Sequence, residues 1–441
     1  MHIVVIGAGQ VGAFIARNLC IDHDIIVIEK DKETAEKLRE SFDVIVIEGD
    51  GEDVSVLKEA QVEKADILLA ISGDDKTNIM ASFYTASLGI PKIIVRIRNP
   101  NYLEYPKLLK DVDISVVHPW AIISEKITSL IGSPFAWKTE TLAMGKIKMF
   151  KLKVEDNTPI VGQTLANLSP PKAWIFVAVS RNGKITIPTG ETTFESGDYV
   201  FALGVPDVLG KLKELFGAHE EEIKSAVVVG GGRLGRGAAK ILSKNNVSTK
   251  LIESNPERAR KAAEDLDNVL VFKGDATDTE TLKEAGTESA DYFIALTGDD
   301  ENNVLSALLA RNLGAKRTTV LYTKPDYIDV IEAIGVDRAI SVRLSVANEI
   351  LSLLHMHGVA QVALVEEGKA EVLEFDITDD TKIIGTPLKD IHFPHGSIVG
   401  IVLRGEEVII PRGDYVAASG DRVIIFTLPD AVKQVEKILG Q

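Results

Sequence analysis

Met1–Gly12, MHIVVIGAGQVG, is the stretch from which the rest of the chain is read. The apolar residues Ile3–Ile6 stop at Gly7, and the turn that follows, Gly7, Ala8, Gly9, Gln10, Val11 and Gly12, has the spacing G-x-G-x-x-G. Val11, Ala13, Ile15, Ala16 and Leu19 continue it at helical spacing. In a strand–turn–helix unit of this kind the first glycine permits the tight turn. The second admits a pyrophosphate against the backbone, and the third lets the helix pack on the strand. The unpaired N–H groups and partial positive charge of the helix N-terminus face the same place. The turn is written twice: Ala226–Gly235, AVVVGGGRLG, repeats it with Gly230, Gly231, Gly232, Arg233, Leu234 and Gly235.

At roughly 100–200 residues per domain, 441 residues suit two to four domains. A composition of 45% hydrophobic and 26% charged residues is that of a globular protein with sizeable cores. The net charge of −16 argues against non-specific nucleic-acid binding, which needs Lys and Arg to displace phosphate counterions. Cys20 is the only cysteine, so no internal disulfide forms and a reducing compartment is expected. The first strand begins at residue 2, leaving no room for a signal peptide, and no apolar run nears the roughly 18 residues of a membrane span. A cytoplasmic location is expected.

Asp24–Glu29, DIIVIE, reads as a buried strand ending in an acid. Glu29 stands 22 residues after Gly7 (29 − 7), near the offset of about 20 at which an acid hydrogen-bonds a ribose diol. Its charge repels a 2′-phosphate, so NAD suits the site better than NADP. Lys32–Ser41 is polar with helical spacing, and Val44–Ile47 is a third strand closing on Glu48-Gly49-Asp50-Gly51. These small residues leave space for a flat ring, and Asp50 is placed to accept from an adenine amino group. A short helix is expected over Leu57–Val62 and a fourth strand over Ala65–Ile71, ending at Ser72-Gly73-Asp74-Asp75. A helix over Asn78–Leu88 is stopped by Gly89 and Pro91. Lys92–Arg98 is a fifth strand with Arg96 and Arg98 on one face. At the carboxyl end of a parallel strand one of them meets a nucleotide phosphate or, equally, forms a surface salt bridge.

Strands alternating with helices predict a doubly wound parallel sheet. An amphipathic helix follows over Ala121–Ile131. The pattern then changes to short alternating strands at Met149–Val154, Ile175–Arg181, Lys184–Ile187 and Tyr199–Gly204, with a loop at Ser169-Pro170-Pro171 and a closing helix over Val208–Leu215. That is a small α+β domain. The second half repeats all of it. Gly230 − Gly7 is 223, Glu253 − Glu29 is 224 and Asp275 − Asp50 is 225, and Thr297-Gly298-Asp299-Asp300 answers Ser72-Gly73-Asp74-Asp75. Gly162, Leu165, Pro188 and Gly197-Asp198 return as Gly385, Leu388, Pro411 and Gly420-Asp421. The fold class is therefore α/β: two Rossmann-like doubly wound parallel-sheet domains, each followed by a small α+β C-lobe, as a tandem duplication.

The halves differ in cations. Arg96 and Arg98 correspond to Leu321 and Thr323, whereas Gln10 is replaced by Arg233. Two sites of different affinity or nucleotide preference are expected. Catalysis is not: a dehydrogenase needs an acid/base set near the nicotinamide, and neither small domain repeats one. His355 and His357, two apart in a helical stretch, face different directions, and His392 and His395 flank Phe393-Pro394 in a loop, so no metal set is complete. Cys20 falls on the apolar side of its helix as a packing residue.

GAGQVG with Glu29, Gly49-Asp50, Ser72-Gly73-Asp74-Asp75 through Asn78, and Arg96 resemble an RCK (KTN) domain, and Pro159–Leu215 and Ile384–Leu439 resemble the small C-terminal lobe that accompanies it. Two such units in tandem resemble the nucleotide-binding regulatory subunits of Trk-type potassium uptake systems. The resemblance implies the divisions 1–119 (N-lobe 1), 120–140 (crossover helix and linker), 141–217 (C-lobe 1), 224–343 (N-lobe 2), 344–360 (crossover helix) and 361–441 (C-lobe 2). Ala121–Ile131 and Ser345–His355 would be the crossover helices. It further implies NAD(H), with ATP or ADP possible at one or both sites. The expected partner is an integral-membrane potassium transporter subunit of Trk type, reached from the cytoplasmic face by a homo-oligomeric ring of N-lobes, with no nucleic acid. Gly7–Gly12 would cradle phosphate, Glu29 hold a ribose, Asp50 lie by the adenine, Ser72 and Gly73 line the pocket, and Arg96 meet phosphate. Gly230–Gly235, Glu253, Asp275 and Thr297 match in the second unit. Regulation rather than turnover is expected, against the alternatives of an NAD-dependent oxidoreductase or a soluble nucleotide or redox sensor.

Overall fold

The computed structural model describes residues 1–20, 23–103, 114–132, 136–168, 173–217, 223–356 and 359–439. Ser169-Pro170-Pro171 and His357 lie outside them. The first sheet comprises β1 (His2–Ile6), β2 (Asp24–Glu29), β3 (Ile45–Glu48), β4 (Ile67–Ala70), β5 (Lys92–Arg96) and β6 (Ile114–Val117) in the order β3-β2-β1-β4-β5-β6. All its pairings are parallel. Such strands are covered on both faces, which is why Ile3–Ile6, Ile25–Ile28 and Ile67–Ala70 are apolar at every position. The strand order reverses between β1 and β4, so the crevice at their carboxyl ends is where a ligand of such a sheet sits. Gly7 follows β1 and Ser72 lies just beyond β4.

Several details depart from the sequence reading: the helix expected over Leu57–Val62 lies at Val54–Glu59, started by the Asp53 side chain accepting from the Ser55 N–H, and the strand expected over Lys92–Arg98 ends at Arg96. Five strands were expected, and β6, with the sequence ISVV, is a sixth: a four-residue edge strand with a single fully buried residue, Val117. The helix expected from Asn78 begins at Asp75, because the Asp74 side chain caps it by accepting from the Lys76 N–H.

The second sheet contains β7 (Ala136–Leu142), β8 (Ile147–Lys153), β9 (Trp174–Arg181), β10 (Lys184–Thr186) and β11 (Tyr199–Gly204), antiparallel in the order β10-β9-β11-β8-β7. Strand β7 was not expected. The third sheet repeats the first, with β12 (Ser225–Val229), β13 (Ser248–Glu253), β14 (Val269–Lys273), β15 (Tyr292–Ala295), β16 (Thr318–Tyr322) and β17 (Arg338–Ser341) in the order β14-β13-β12-β15-β16-β17. The fourth holds β18 (His355–Met356), β19 (Val359–Val365), β20 (Ala370–Asp376), β21 (Ser397–Arg404), β22 (Glu407–Ile409) and β23 (Asp421–Thr427). Its order is β18-β19-β20-β23-β21-β22. The helix expected over Ser345–His355 spans Val342–Leu353, and His355 belongs to a strand paired antiparallel with β19. The expectation of a helical His355 was therefore wrong: the helix ends at Leu353, and the buried Leu354 separates it from the strand.

The chain divides into two compact units, Met1–Ile123 with Ser341–Leu353, and Ser124–Ile340 with Leu354–Gln441. In the first, the helix Val342–Leu353 packs on the helix Gln10–Leu19, with the Arg343 guanidinium 4.5 Å from the centre of the Phe14 ring. In the second, the two antiparallel sheets share one core: Val177, Phe201 and Leu203 meet Ile401, Ile424 and Phe426. The Phe201 and Phe426 rings are 6.1 Å apart, and a Cβ at Gly400 would lie 2.6 Å from Leu203 Cδ1, so a larger residue there would require the Leu203 side chain to move.

Candidate functional site: two glycine turns

Both turns have the same construction. Gly7 (φ +97°) and Gly230 (φ +104°) occupy the left-handed region open to glycine, and their N–H groups donate to the Ile28 and Ile252 carbonyls at 2.8 Å. A Cβ on Gly12 would stand 1.8 Å from the Gly7 carbonyl oxygen, and one on Gly235 would stand 1.7 Å from that of Gly230. Gly9 and Gly232 cap the following helices, Gln10–Leu19 and Arg233–Lys244, with no side chain on the first N–H groups. Nothing lies within 4 Å of a Cβ placed on either, so the space in front of each helix is open.

The acids that end the second strand of each sheet turn back onto the glycine loops. Glu29 accepts from the N–H groups of Ala8 (2.6 Å) and Asp31 (2.9 Å). Glu253 accepts from Gly231 (2.7 Å) and Asn255 (2.8 Å), and additionally from the Arg258 guanidinium at 2.9 Å. Burial opposes its charge, but these donors outweigh burial and hold its carboxyl below the usual range. The missing side chain of Gly231 makes room, since a Cβ there would meet Glu253 at 2.9 Å. Asp50 pairs with Lys30 at 2.5 Å, and this hydrogen bond holds its carboxyl below the usual range. Asp275 instead accepts from the backbone and hydroxyl of Thr277.

At the end of the fourth strand a buried asparagine fastens the crevice in each half. Asn78 accepts from the Ser72 N–H (2.9 Å) and hydroxyl (2.7 Å) and donates to the Ser72 and Arg96 carbonyls. Asn303 makes the same four bonds with Thr297 and Leu321. Ser72 in turn lies against the glycine turn, as a Cβ on Gly7 would be 2.5 Å from Ser72 Cα. The side chain of Arg96 donates to the Ser72 carbonyl at 2.7 Å. Its Nε is buried without a hydrogen-bond partner, and no carboxylate lies within ion-pairing distance among the described residues. Burial, then the like charge of Arg98, lowers its pKa to about 10, with Asp75 opposing. Arg98 lies beyond the strand; it bonds the Gly73 carbonyl and approaches Asp75 at 3.8 Å.

In the second half a cavity of about 310 Å³ is lined by Gly230, Gly232, Glu253, Asp275 and Thr297, five of the expected residues, together with Arg258, Asp299 and Asn302. Gly231, Arg233, Leu234 and Gly235 do not line it, and Arg233 is exposed. Arg258 was not anticipated, because the aligned residue of the first half is Thr34, a plain helix-start residue. Neither was the load on Asn78 and Asn303, since a buried bond 18 residues long leaves no local pattern. Among the described residues no group of three or more His, Cys, Asp or Glu is arranged to hold a metal. His392 and His395 are exposed. No described helix is long and apolar enough to cross a membrane.

Comparison with known proteins follows this architecture. The TrkA-N domain model matches residues 3–118 and 226–342, and the TrkA-C domain model matches 149–217 and 372–440. Trk system potassium uptake protein TrkA homolog 2 of Methanosarcina mazei is 36% identical over 99% of this chain and 100% of its own length. Trk system potassium uptake protein TrkA of Vibrio alginolyticus is 34% identical over 97% of this chain and 95% of its own. Among solved structures, the GsuK channel bound to NAD superposes with a TM-score of 0.60 at 23% identity, over 99% of this chain and 78% of that one. GsuK bound to ADP superposes at 0.50 and 19% identity, over 80% and 68%. With its full length aligned at this identity and both domain models matched twice, the chain belongs to the TrkA family of Trk system potassium uptake proteins.

Proposed function

We propose that this chain is the cytosolic nucleotide-binding regulatory subunit of a potassium uptake system. It binds one adenine nucleotide or dinucleotide in each parallel-sheet domain and gates a membrane potassium-translocating partner. The observation that carries this is Arg96: a half-buried guanidinium beside the glycine turn, with a buried Nε lacking a partner, is a cation held ready for an anion. The open helix N-terminus at Gly9 supplies the matching backbone donors. The names of the relatives supply the potassium system, and the similarity in fold to GsuK solved with NAD and with ADP supports those ligand classes. In this reading Gly7–Gly12, Glu29, Asp50, Ser72, Gly73 and Arg96 serve the first site. Gly230–Gly235, Glu253, Asp275 and Thr297 serve the second. The domain divisions stand at 1–119, 141–217, 224–343 and 361–441 with crossover segments between, and a homo-oligomeric ring docks on the inner face of the membrane through its partner.

Function then follows from linkage rather than turnover: a nucleotide shifts the assembly only by its differential affinity for two geometries. In this reading the coupling leaves the second site through linked hydrogen bonds. Thr297 at the cavity is bonded to Asn303, and Asn303 to the Leu321 carbonyl. Tyr322, the next residue, donates to Glu367 of the second small lobe at 2.9 Å.

The test is calorimetric titration with NAD, NADH, ATP and ADP. Two ligands per chain are expected. Arg96→Ala should weaken one of them by roughly ten- to a hundred-fold, as a hydrogen bond to a charged group is worth about 1.5–3 kcal/mol. The proposal fails if no nucleotide changes either assembly or binding to the potassium-translocating partner.

A further inference from the structure

The two crevices differ in charge where the ribose of a bound nucleotide would lie. Around the first stand Glu29, Glu48, Asp50 and Glu52 with one lysine, Lys30, a formal net of −3. The aligned positions of the second are Glu253, Lys273, Asp275, Thr277 and Ser254, and Arg258 replaces Thr34; two acids and two cations give a net of 0. Glu48 and Lys273 occupy the same register, opposite Glu29 and Glu253 in the neighbouring strand. The acids themselves differ further. Among the described residues no side-chain cation pairs with Glu29, and its oxygens keep lone pairs for a ribose diol. Glu253 carries Arg258 on Oε1, so its charge is met from within the protein.

Arg258 is 57% exposed as a side chain, lines the cavity, and spends one nitrogen on Glu253. Its guanidinium has further donors in a planar fork suited to phosphate oxygens. An acid at this strand end repels a phosphate on the ribose 2′-oxygen, while an arginine beside it accommodates one. The first site has the acid alone, and the second has the acid neutralised by the arginine.

We infer that the second site accepts an adenosine nucleotide phosphorylated on its ribose 2′-oxygen, the NADP(H) class, with Arg258 as the residue that admits it, while the first site rejects that class. The inference rests on the nucleotide-binding reading above and assigns the two sites different ligands.

The experiment titrates the full-length protein with NADH, NADPH and adenosine 2′,5′-bisphosphate. NADPH and the bisphosphate are expected to bind at one site per chain. Arg258→Thr, which installs the residue of the first half, should weaken both at least tenfold and leave NADH binding at the first site unchanged. Arg258→Lys, which keeps the charge without the fork, should fall between. Thr34→Arg should improve NADPH binding at the first site. If NADH binds but NADPH does not bind, or binds equally well to wild type and Arg258→Thr, this inference is overturned and the regulatory proposal stands. If no nucleotide binds to the wild-type protein, both are overturned. Because Arg258 also pairs with the buried Glu253, the thermal midpoint of each variant is measured alongside, and the selective loss of NADPH against NADH ties lost affinity to the site rather than to the fold.

Discussion

Replacing Lys151 with methionine is expected to destabilise the second unit by about 3–5 kcal/mol, the cost of breaking a buried ion pair from one side. Lys151 lies on β8 of the first small lobe and is 2% exposed. Its ammonium reaches Glu332 of the second nucleotide fold at 2.5 Å and Glu366 of the second small lobe at 3.0 Å, and stands 4.1 Å from the centre of the Tyr199 ring. Three domains therefore meet on one cation. Burial already pushes the Glu332 carboxyl up, against the pull of Lys151, and Glu366 and Asp329 push the same way as burial. Without Lys151 only the upward influences on Glu332 remain. A carboxyl whose folded pKa stands above its unfolded value loses stability as pH rises through that interval. The defect of Lys151→Met should accordingly be largest at neutral pH and shrink on acidification toward pH 5, where protons replace the lost ammonium. Replacing Lys151, Glu332 and Glu366 together by apolar residues should recover most of the loss. Denaturant unfolding of the wild type, Lys151→Met and the triple variant at two pH values measures this, and a single-variant loss below about 1 kcal/mol would sink the account.

That junction also shows why part of the molecule was not legible in its sequence. The glycine turns, the acids 22–23 residues beyond them and the Asp50 and Asp275 turns were readable because each is a local device with a fixed spacing. The duplication made them readable twice. Lys151 was not. In IKMFKLK, Lys151 and Lys153 stand two apart like residues on the solvated face of a strand, yet both faces of β8 are covered. The partner lobe buries one face, and the acids that satisfy Lys151 come from 181 and 215 residues away. Arg258 escaped notice for a related reason. On a helix its neighbour at Glu253 is out of phase with any pattern, and only the folded crevice places the two at 2.9 Å. The strand arginines were half legible: Arg96 ends β5 as the parallel-sheet reading required, but the strand stops there and Arg98 belongs to the loop that binds Asp75.

The glycines of the opening turn separate folding from binding, and Gly9→Ala against Gly12→Ala exposes the difference. At Gly12 the added methyl would stand 1.8 Å from the Gly7 carbonyl oxygen, backbone that cannot rotate away. Helix and strand must part, at a cost of about 1–3 kcal/mol for an overpacked contact, and the turn that presents its N–H groups is deformed with them. At Gly9 the backbone is extended (φ −64°, ψ −176°) and nothing lies within 4 Å of the new methyl. Alanine there should change stability by less than about 1 kcal/mol, its poorer capping being offset by a less flexible unfolded chain. The methyl would nonetheless occupy the space where a phosphate approaches the helix N-terminus. We therefore expect Gly12→Ala to lower both the unfolding midpoint and nucleotide stoichiometry, from two per chain to one. Gly9→Ala should keep the midpoint and weaken one site by roughly ten- to a hundred-fold. Gly232→Ala and Gly235→Ala should reproduce the pair in the second half, where the corresponding clash is 1.7 Å. Calorimetry beside thermal unfolding distinguishes the four variants. If Gly9→Ala and Gly232→Ala both left every nucleotide affinity intact, the open ground before these helices would not be where the phosphate binds.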